Sequence, residues 1–386
     1  MTEDLNNEQE KKKRRTKDDI ADDLYAEFDQ FIKKETELEE EVEDKLLIPT
    51  GIDILDAILG GGFAIGTLSV IVGHPGSGKS MLAMQVMGQG QRTYPGILCS
   101  YLDSENAVTV PRLHSLGVSR VKPRQDLTVE KVFQFLETVC VFKSQKKIMD
   151  KPAIVVWDSI ANTLSQLDLE TDIKDFGKNV AYAARIYSKA IPKYTAKMAV
   201  HNVALIAVNQ FRDNIKINQY EKRAKGVSFI AYSINIPGGH SLRYNAFHLL
   251  EMEQKEVLKN YEFEGIKVAA RCVKNKLFSP NIVVELIASF HHGFDNFWTN
   301  FEFLKQTKRI KTSGAWSELN GYTQKKFQRP SVKGMYESDE EFRKVYDEAV
   351  KEAIQTEIID KYATDVPEDI EIEEEIEDTV ADEGML

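Results

Sequence analysis

Cysteine is scarce. Three residues in 386, Cys99, Cys140 and Cys272, are too few and too scattered for a disulfide framework or a zinc site, and they read as reduced thiols of an intracellular protein. Long apolar runs are missing, so no segment approaches the length needed to cross a membrane. The opening stretch, MTEDLNNEQEKKKRRTKDD, is polar and lacks the apolar centre of a secretory signal. These absences point to a cytoplasmic protein with no membrane partner. Basic residues are absent from 365–386, where eleven Asp and Glu stand together. The whole chain carries a formal charge of −11, so residues 1–364 sum to zero. The acidic balance belongs to the tail, and it does not exclude nucleic acid as a partner of the body.

What is present is a chain long enough for a full α/β core, 42% apolar and 29% charged. Residues 1–45 form a charged N-terminal segment. Within it, 18–34 places Ile20, Leu24, Tyr25, Phe28, Phe31 and Ile32 on one helical stripe. A short stripe outside the core needs a partner, either an adjacent subunit or its own core. The acidic run 35–44 follows. From 46 to 321, short apolar runs alternate with helical patterns. The runs 67–72, 96–102, 153–157 and 203–208 read as buried parallel strands, and 79–91, 128–146 and 175–198 as helices. The runs 266–273 and 281–287 read as later, antiparallel strands. The expected fold is α/β: an open, mostly parallel central sheet with helices on both faces. A small helical region, 322–364, with a helix near 339–357, precedes a disordered acidic tail, 365–386.

The chemistry starts at Gly73-His74-Pro75-Gly76-Ser77-Gly78-Lys79-Ser80, which fits G-x-x-x-x-G-K-[ST] fully. A strand ends before it and a helix, beginning near Lys79 and carrying Met81, follows. Glycines let backbone N–H groups wrap phosphates, Lys79 reaches the β and γ phosphates, and the Ser80 hydroxyl serves Mg²⁺. The cofactors implied are ATP and Mg²⁺. In AIVVWDSI an apolar strand ends in Asp158, where a carboxylate can order the water shell of the metal. In SYLDSEN, Glu105 follows a strand and either polarises the attacking water or is a turn acid beside Asp103. In VALIAVNQF, Asn209 and Gln210 leave a strand end, either as γ-phosphate sensors or as local caps.

Taken in order, TGIDILDAILGGGFAIGTLSVIVGHPGSGKS, LDSENA, IVVWDSIA, AARIYSKA, LIAVNQFR, PGGHSLRYNAFHLLEM, VKNK and SGAW resemble the RecA/UvsX-type homologous-recombination proteins of bacteria and bacteriophages, over about 47–321. The DSE at 103–105 is more similar to the phage branch, which implies a bacterial or phage-infected host cytoplasm. The resemblance implies a RecA-type P-loop ATPase core with Glu105 as the catalytic carboxylate, Asp158 as the Mg²⁺-side acid and Gln210 as the γ-phosphate sensor. Lys274 and Lys276, on one side of an expected strand, need solvent, phosphate or an acidic partner. By resemblance they reach a neighbour's ATP in trans, as an arginine finger does. The family has an aromatic residue stacking on adenine seven positions past the catalytic Glu; here that position is Arg112.

Two segments suit DNA. Arg185, Lys189 and Lys193 lie at i, i+4 and i+8 of one helix, which Pro192 is expected to end or kink. By resemblance Arg185 and Ser188 contact DNA; otherwise this is a solvated face. The stretch 211–239 holds Arg212, Lys216, Lys222, Arg223 and Lys225 against two acids, with Phe211, Tyr220, Phe229 and Tyr232 interleaved. The leading expectation is an ATP-dependent recombinase. It polymerises into a helical filament on single-stranded DNA, pairs it with double-stranded DNA, and takes single-strand-binding and mediator proteins as further partners. A hexameric helicase on the same core and a DNA-independent regulatory ATPase are the alternatives. The tail either competes with DNA for cations or serves solubility.

Overall fold

Runs without polar interruption become central strands when both faces are covered. Three of the four expected runs meet that condition: β3 (Leu68–Gly73), β6 (Ala153–Asp158) and β7 (Val203–Gln210) are buried along almost their whole length. The chain was characterised as a computed structural model that describes residues 45–172, 180–211, 237–259, 261–322 and 326–363, with Leu24, Glu27, Phe28, Phe31 and Lys34.

In chain order, β1 (Leu47–Ile48) and β2 (Phe63–Ala64) pair around α1 (Asp53–Leu59). Then come β3, α2 (Lys79–Thr93), β4 (Leu98–Asp103), α3 (Val110–Ser115), β5 (Pro123–Arg124), α4 (Val129–Lys146), β6 and α5 (Gln166–Glu170). They are followed by α6 (Val180–Val200), β7, α7 (Gly239–Asn245), β8 (His248–Leu258), β9 (Gly265–Lys274), β10 (Val283–Ser289) and β11 (Gly293–Phe294). The main sheet runs β11-β10-β9-β8-β3-β7-β6-β4-β5. From β8 to β5 every pairing is parallel, and β9, β10 and β11 join antiparallel. The expected α/β architecture holds, including the antiparallel additions. The long β8 was not foreseen.

Alternate residues of each strand feed two cores. Ile154 and Val156 of β6 face the cluster built with α1 and α2, while Val155 and Trp157 face α4 and α6. On α6 the buried stripe is Tyr187, Ile191, Tyr194 and Met198. Trp157 stacks on Tyr187 with ring centroids 6.2 Å apart, and Phe133 stacks on Tyr194 at 5.3 Å. The helix does not end at Pro192; it continues to Val200. Pro192 lies on the exposed side, and so does Ser188, whose carbonyl loses its helical donor there, so water can satisfy it.

Beyond β11, α8 (Asn296–Gln306) leads into a three-stranded sheet of β12 (Ile310–Ser313), β13 (Trp316–Leu319) and β14 (Phe327–Gln328). Two helices follow, α9 (Arg329–Ser338) and α10 (Glu340–Ile354), the second capped by Asp339, which accepts from Phe342 N at 3.0 Å. Phe327, Phe342 and Tyr346 pack with Trp298 and Phe301 in the first core, so the described residues from 46 on form one compact unit and the described part of 322–363 is welded to the main-sheet fold. The weld includes an ionic contact. The Arg329 guanidinium lies 3.8 Å over the Tyr261 ring and 5.5 Å from that of Trp298, and it donates to Glu302 at 2.9 Å. In the N-terminal unit, Leu24, Phe28 and Phe31 lie in a helix at i, i+4 and i+7, and all three are exposed. The tail 365–386 lies outside the described residues.

Arg329→Ala should cost about 2 kcal/mol, because it removes one of the two cations on the nearly buried Glu302 carboxylate, which keeps Lys305 at 3.3 Å and Tyr261 Oη at 3.1 Å, and it also removes the stacking on Tyr261. Adding Glu302→Gln should return part of that loss. Urea midpoints of the three variants check it, and an Arg329→Ala midpoint equal to wild type would show that the contact does not hold the segment.

Candidate active site

The phosphate loop leaves β3 at Gly73. A side chain there would meet the Met252 carbonyl of β8 at 2.2 Å, so only glycine lets the two backbones approach. Gly76 and Gly78 have φ of 79° and 84°, the left-handed conformation that turns the chain into α2. The loop closes on one acceptor. The His74 carbonyl receives Ser77 N at 3.3 Å, Ser77 Oγ at 2.9 Å and Lys79 Nζ at 2.7 Å. Lys79 is 6% exposed. Burial lowers its pKa to about 8, against the pull of Asp158 and Glu105.

Parallel register brings the acids to the loop. β4 pairs with β6 so that Asp103 faces Asp158, and β3 pairs with β7 so that Gly73 faces Gln210. Asp158 is buried and accepts from Tyr101 Oη at 2.6 Å. Burial raises its carboxyl, while hydrogen bonds from Ser80 and Tyr101 hold it back. The Ser80 hydroxyl and one carboxylate thus sit together beside the loop, the donor set Mg²⁺ uses when it keeps several waters. Past the strand ends, Ser104 stitches β4 to β6. Its N donates to the Asp158 carbonyl at 2.8 Å, its hydroxyl donates to the Ser159 carbonyl at 2.8 Å, and it accepts from Ser159 N at 2.7 Å.

That stitch presents Glu105. Its Oε1 accepts from Ser159 Oγ at 2.9 Å, Asn162 Nδ2 at 2.6 Å and Gln210 Nε2 at 3.1 Å. Three donors fix one oxygen of an otherwise exposed carboxylate. Asp103, by contrast, is buried and accepts from Val108 N at 2.9 Å, the work of a turn acid. Glu105 thus bonds to residues of other strand ends, whereas Asp103 bonds within its own turn. Asn209 is taken up by backbone: its amide donates to the Pro237 carbonyl at 2.8 Å, and its oxygen accepts from Gln210 N at 2.9 Å.

The structure thus assembles Lys79, Ser80, Glu105, Asp158 and Gln210. Ser159, Asn162, Tyr101 and Ser104 complete the cluster and were missed. The string WDSIAN carries two of them directly after Asp158, which was the available signal.

The chain matches a family model described as the RecA N-terminal domain over residues 30–295. It belongs to the RecA family. Its similarity to curated relatives is even across distant bacteria. It is 28% identical to Protein RecA of Bdellovibrio bacteriovorus over 72% of this chain and 70% of that one. The figures are 29% for Thermus thermophilus, over 70% and 74%, and 28% for Sulfurimonas denitrificans, over 80% and 84%. Membership makes this a RecA-type recombination and repair protein.

The other expected site residues lie outside this cluster or outside the described residues. Arg112 donates from Nη1 to the carbonyls of Phe290 at 2.8 Å and His291 at 3.1 Å, so its cation is engaged by the turn after β10. The Phe290 side chain is exposed. The strand expected to carry both lysines stops at Lys274. Asn275 ends it by accepting from Leu277 N and Phe278 N and donating to the Ile58 carbonyl at 2.9 Å, so strand alternation does not place Lys276. Lys274 Nζ donates to the carbonyls of Arg243 at 3.0 Å and Tyr244 at 2.6 Å, at the C-terminal end of α7. Lys276 Nζ lies 5.8 Å from the Phe247 ring centroid. Arg185, Ser188 and Lys189 are exposed on α6. Arg212, Lys216, Lys222, Arg223 and Lys225 lie outside the described residues.

Glu105→Gln keeps a carbonyl oxygen for its three donors but removes a base. It should bind ATP normally and hydrolyse it about 10²–10⁴-fold more slowly, and turnover at the normal rate would refute the assignment of Glu105. Lys79 gives a pH test. With a pKa near 8, it is largely neutral at pH 9 and charged at pH 6.5. A polyphosphate favours the charged form, so nucleotide binding at pH 9 should take up close to one proton, and this uptake should shrink as pH falls through 8. Calorimetry in buffers of different ionisation enthalpy measures this, and a buffer-independent heat at pH 9 would contradict it.

Proposed function

We propose that the chain is a DNA-dependent ATPase that forms helical filaments on single-stranded DNA and promotes pairing and strand exchange with a duplex. The observation that carries this is the hydrogen bond from Gln210 to Glu105. One residue thereby touches the acid that faces the attacking water and opens the segment 211–239, whose five cations outnumber its two acids. Hydrolysis and a phosphate-rich polymer are coupled over a single peptide bond.

The roles follow from chemistry. The loop amides of 76–80 and Lys79 hold the triphosphate. Ser80 and Asp158 would hold Mg²⁺, whose charge would offset that of the bound triphosphate. Glu105, with Oε1 pinned, keeps its second oxygen to orient and deprotonate water. Gln210 senses the γ-phosphate. Phe290 and Arg112 offer a platform for the base. Arg185, Ser188 and Lys189, with Arg212, Lys216, Lys222, Arg223 and Lys225, contact DNA. The exposed stripe of Leu24, Phe28 and Phe31 suits docking on an adjacent subunit in the filament. Lys274 and Lys276 reach a neighbour's triphosphate from that subunit.

Single-stranded DNA should raise ATP turnover by at least about tenfold, within the range that a charge-stabilising group supplied in trans can provide, and electron microscopy should show helical filaments. Rings would favour a helicase, and turnover indifferent to DNA would favour a regulatory ATPase. Mixing Lys274→Ala with Glu105→Gln subunits should recover part of the stimulated activity, since some interfaces then hold both intact halves. Mixed filaments without recovery would place the lysines outside a shared site.

A further inference from the structure

Two aromatic rings meet where the phosphate loop leaves β3 and where the basic segment leaves β7. Register pairs Gly73 with Gln210, so His74 and Phe211 are the next residues on neighbouring strands. Their ring centroids lie 5.2 Å apart with the planes at 61°, an edge contact. Phe211 is partly buried and also packs against the core that holds Leu242 and Leu249. The His74 ring has no part in wrapping phosphate, a task done by the backbone of the loop and by Lys79. An aromatic side chain at this position is therefore surplus to nucleotide binding.

The two ends of His74 face different machinery. Its carbonyl is the acceptor on which the loop closes, and the shortest bond it receives, 2.7 Å, comes from Lys79. Its ring rests on the first residue of the segment that follows Gln210. The exit of that segment is held separately, by buried Asn209 donating to the Pro237 carbonyl at 2.8 Å. The exit is thus tied to β7, while the entrance leans on the phosphate loop.

We propose that His74 is a positioning residue that passes the engagement of Lys79 with a triphosphate to the segment beginning at Phe211. The inference rests on the reading of this chain as a DNA-dependent ATPase. When the Lys79 amine turns to phosphate oxygens, the His74 carbonyl loses a charge-assisted hydrogen bond. Carbonyl and ring share one Cα, so the loop peptide and the ring edge shift together, and the footing of Phe211 changes. Gln210 reports the γ-phosphate through Glu105; His74 reports the lysine. Together they give the DNA segment two contacts with the nucleotide site at adjacent residues of one strand end.

The test is a double-mutant cycle read as the activation ratio, turnover with saturating single-stranded DNA divided by turnover without it, alongside KM for ATP. Phe211→Leu keeps an apolar side chain against the core and removes the ring. His74→Ala and Phe211→Leu should each lower the ratio about three- to tenfold, the range an edge-to-face contact can supply, with KM moving less than the ratio. The double variant should be no worse than the weaker single, because both remove one contact. His74→Phe and Phe211→Tyr, which keep the rings, should restore most of the ratio. A His74→Ala ratio equal to wild type, or single effects that multiply in the double variant, would overturn the proposal. A wild-type chain whose turnover ignores DNA would remove both this inference and the function beneath it.

Discussion

Parallel register at four strand ends is the constraint on which the site depends. β3, β7, β6 and β4 are neighbours, and their C-terminal ends deliver the phosphate loop, Gln210, Asp158 and Glu105 to one edge. A slip of one residue in any pairing would turn the side chains beyond it to the opposite face. Burial on both sides of these strands prevents the slip, since every residue of β3 and β6 is buried and a shift would exchange what faces the two cores. Ser104 then locks the last step with bonds to Asp158 and Ser159. The geometry of the cluster is thus set by hydrophobic pairing several residues away from its polar side chains.

Buried charge alone does not mark the site. His248 is fully buried between Ser69 and the Leu59 carbonyl, and burial lowers its pKa to about 4; it is a neutral packing group. Lys143 is buried, is lowered to about 8 and donates to the Lys151 carbonyl. Asp56 is raised to about 7 while it accepts from Thr50 N. What separates Lys79 and Asp158 from these is company. A cation lowered by burial and an acid raised by burial share one polar cluster, each favouring the other's charged form, and a triphosphate with its metal would complete the neutralisation.

The phosphate loop was legible because its chemistry is written in consecutive residues. Asp158, Glu105 and Gln210 were legible as strand-end polar residues after apolar runs, though only register showed that Glu105 and Gln210 touch. β8 was missed because its outer half, Glu253–Val257, is polar or exposed and breaks the apolar run that marks a buried strand. The C-terminal weld was missed because its aromatic residues, from Tyr261 to Tyr346, come from elements far apart in sequence and meet only in three dimensions. Of the two outcomes expected at Pro192, an end is excluded because the helix runs on to Val200 along an exposed face. Lys276 misled because Asn275, a residue that bonds its own following backbone, ends the strand one step early.

The account's central claim is that a triphosphate bound on residues 76–80 faces Glu105 and Gln210 together, with the segment after Gln210 on DNA. Electron cryomicroscopy of the chain with a non-hydrolysable ATP analogue, Mg²⁺ and single-stranded DNA tests this directly. The account predicts phosphates on the loop amides and Lys79, the γ-phosphate within reach of Gln210, and the strand against residues 211–239 and Arg185. A nucleotide seated elsewhere, or a γ-phosphate with Glu105 and Gln210 both turned away while DNA is bound, would contradict it.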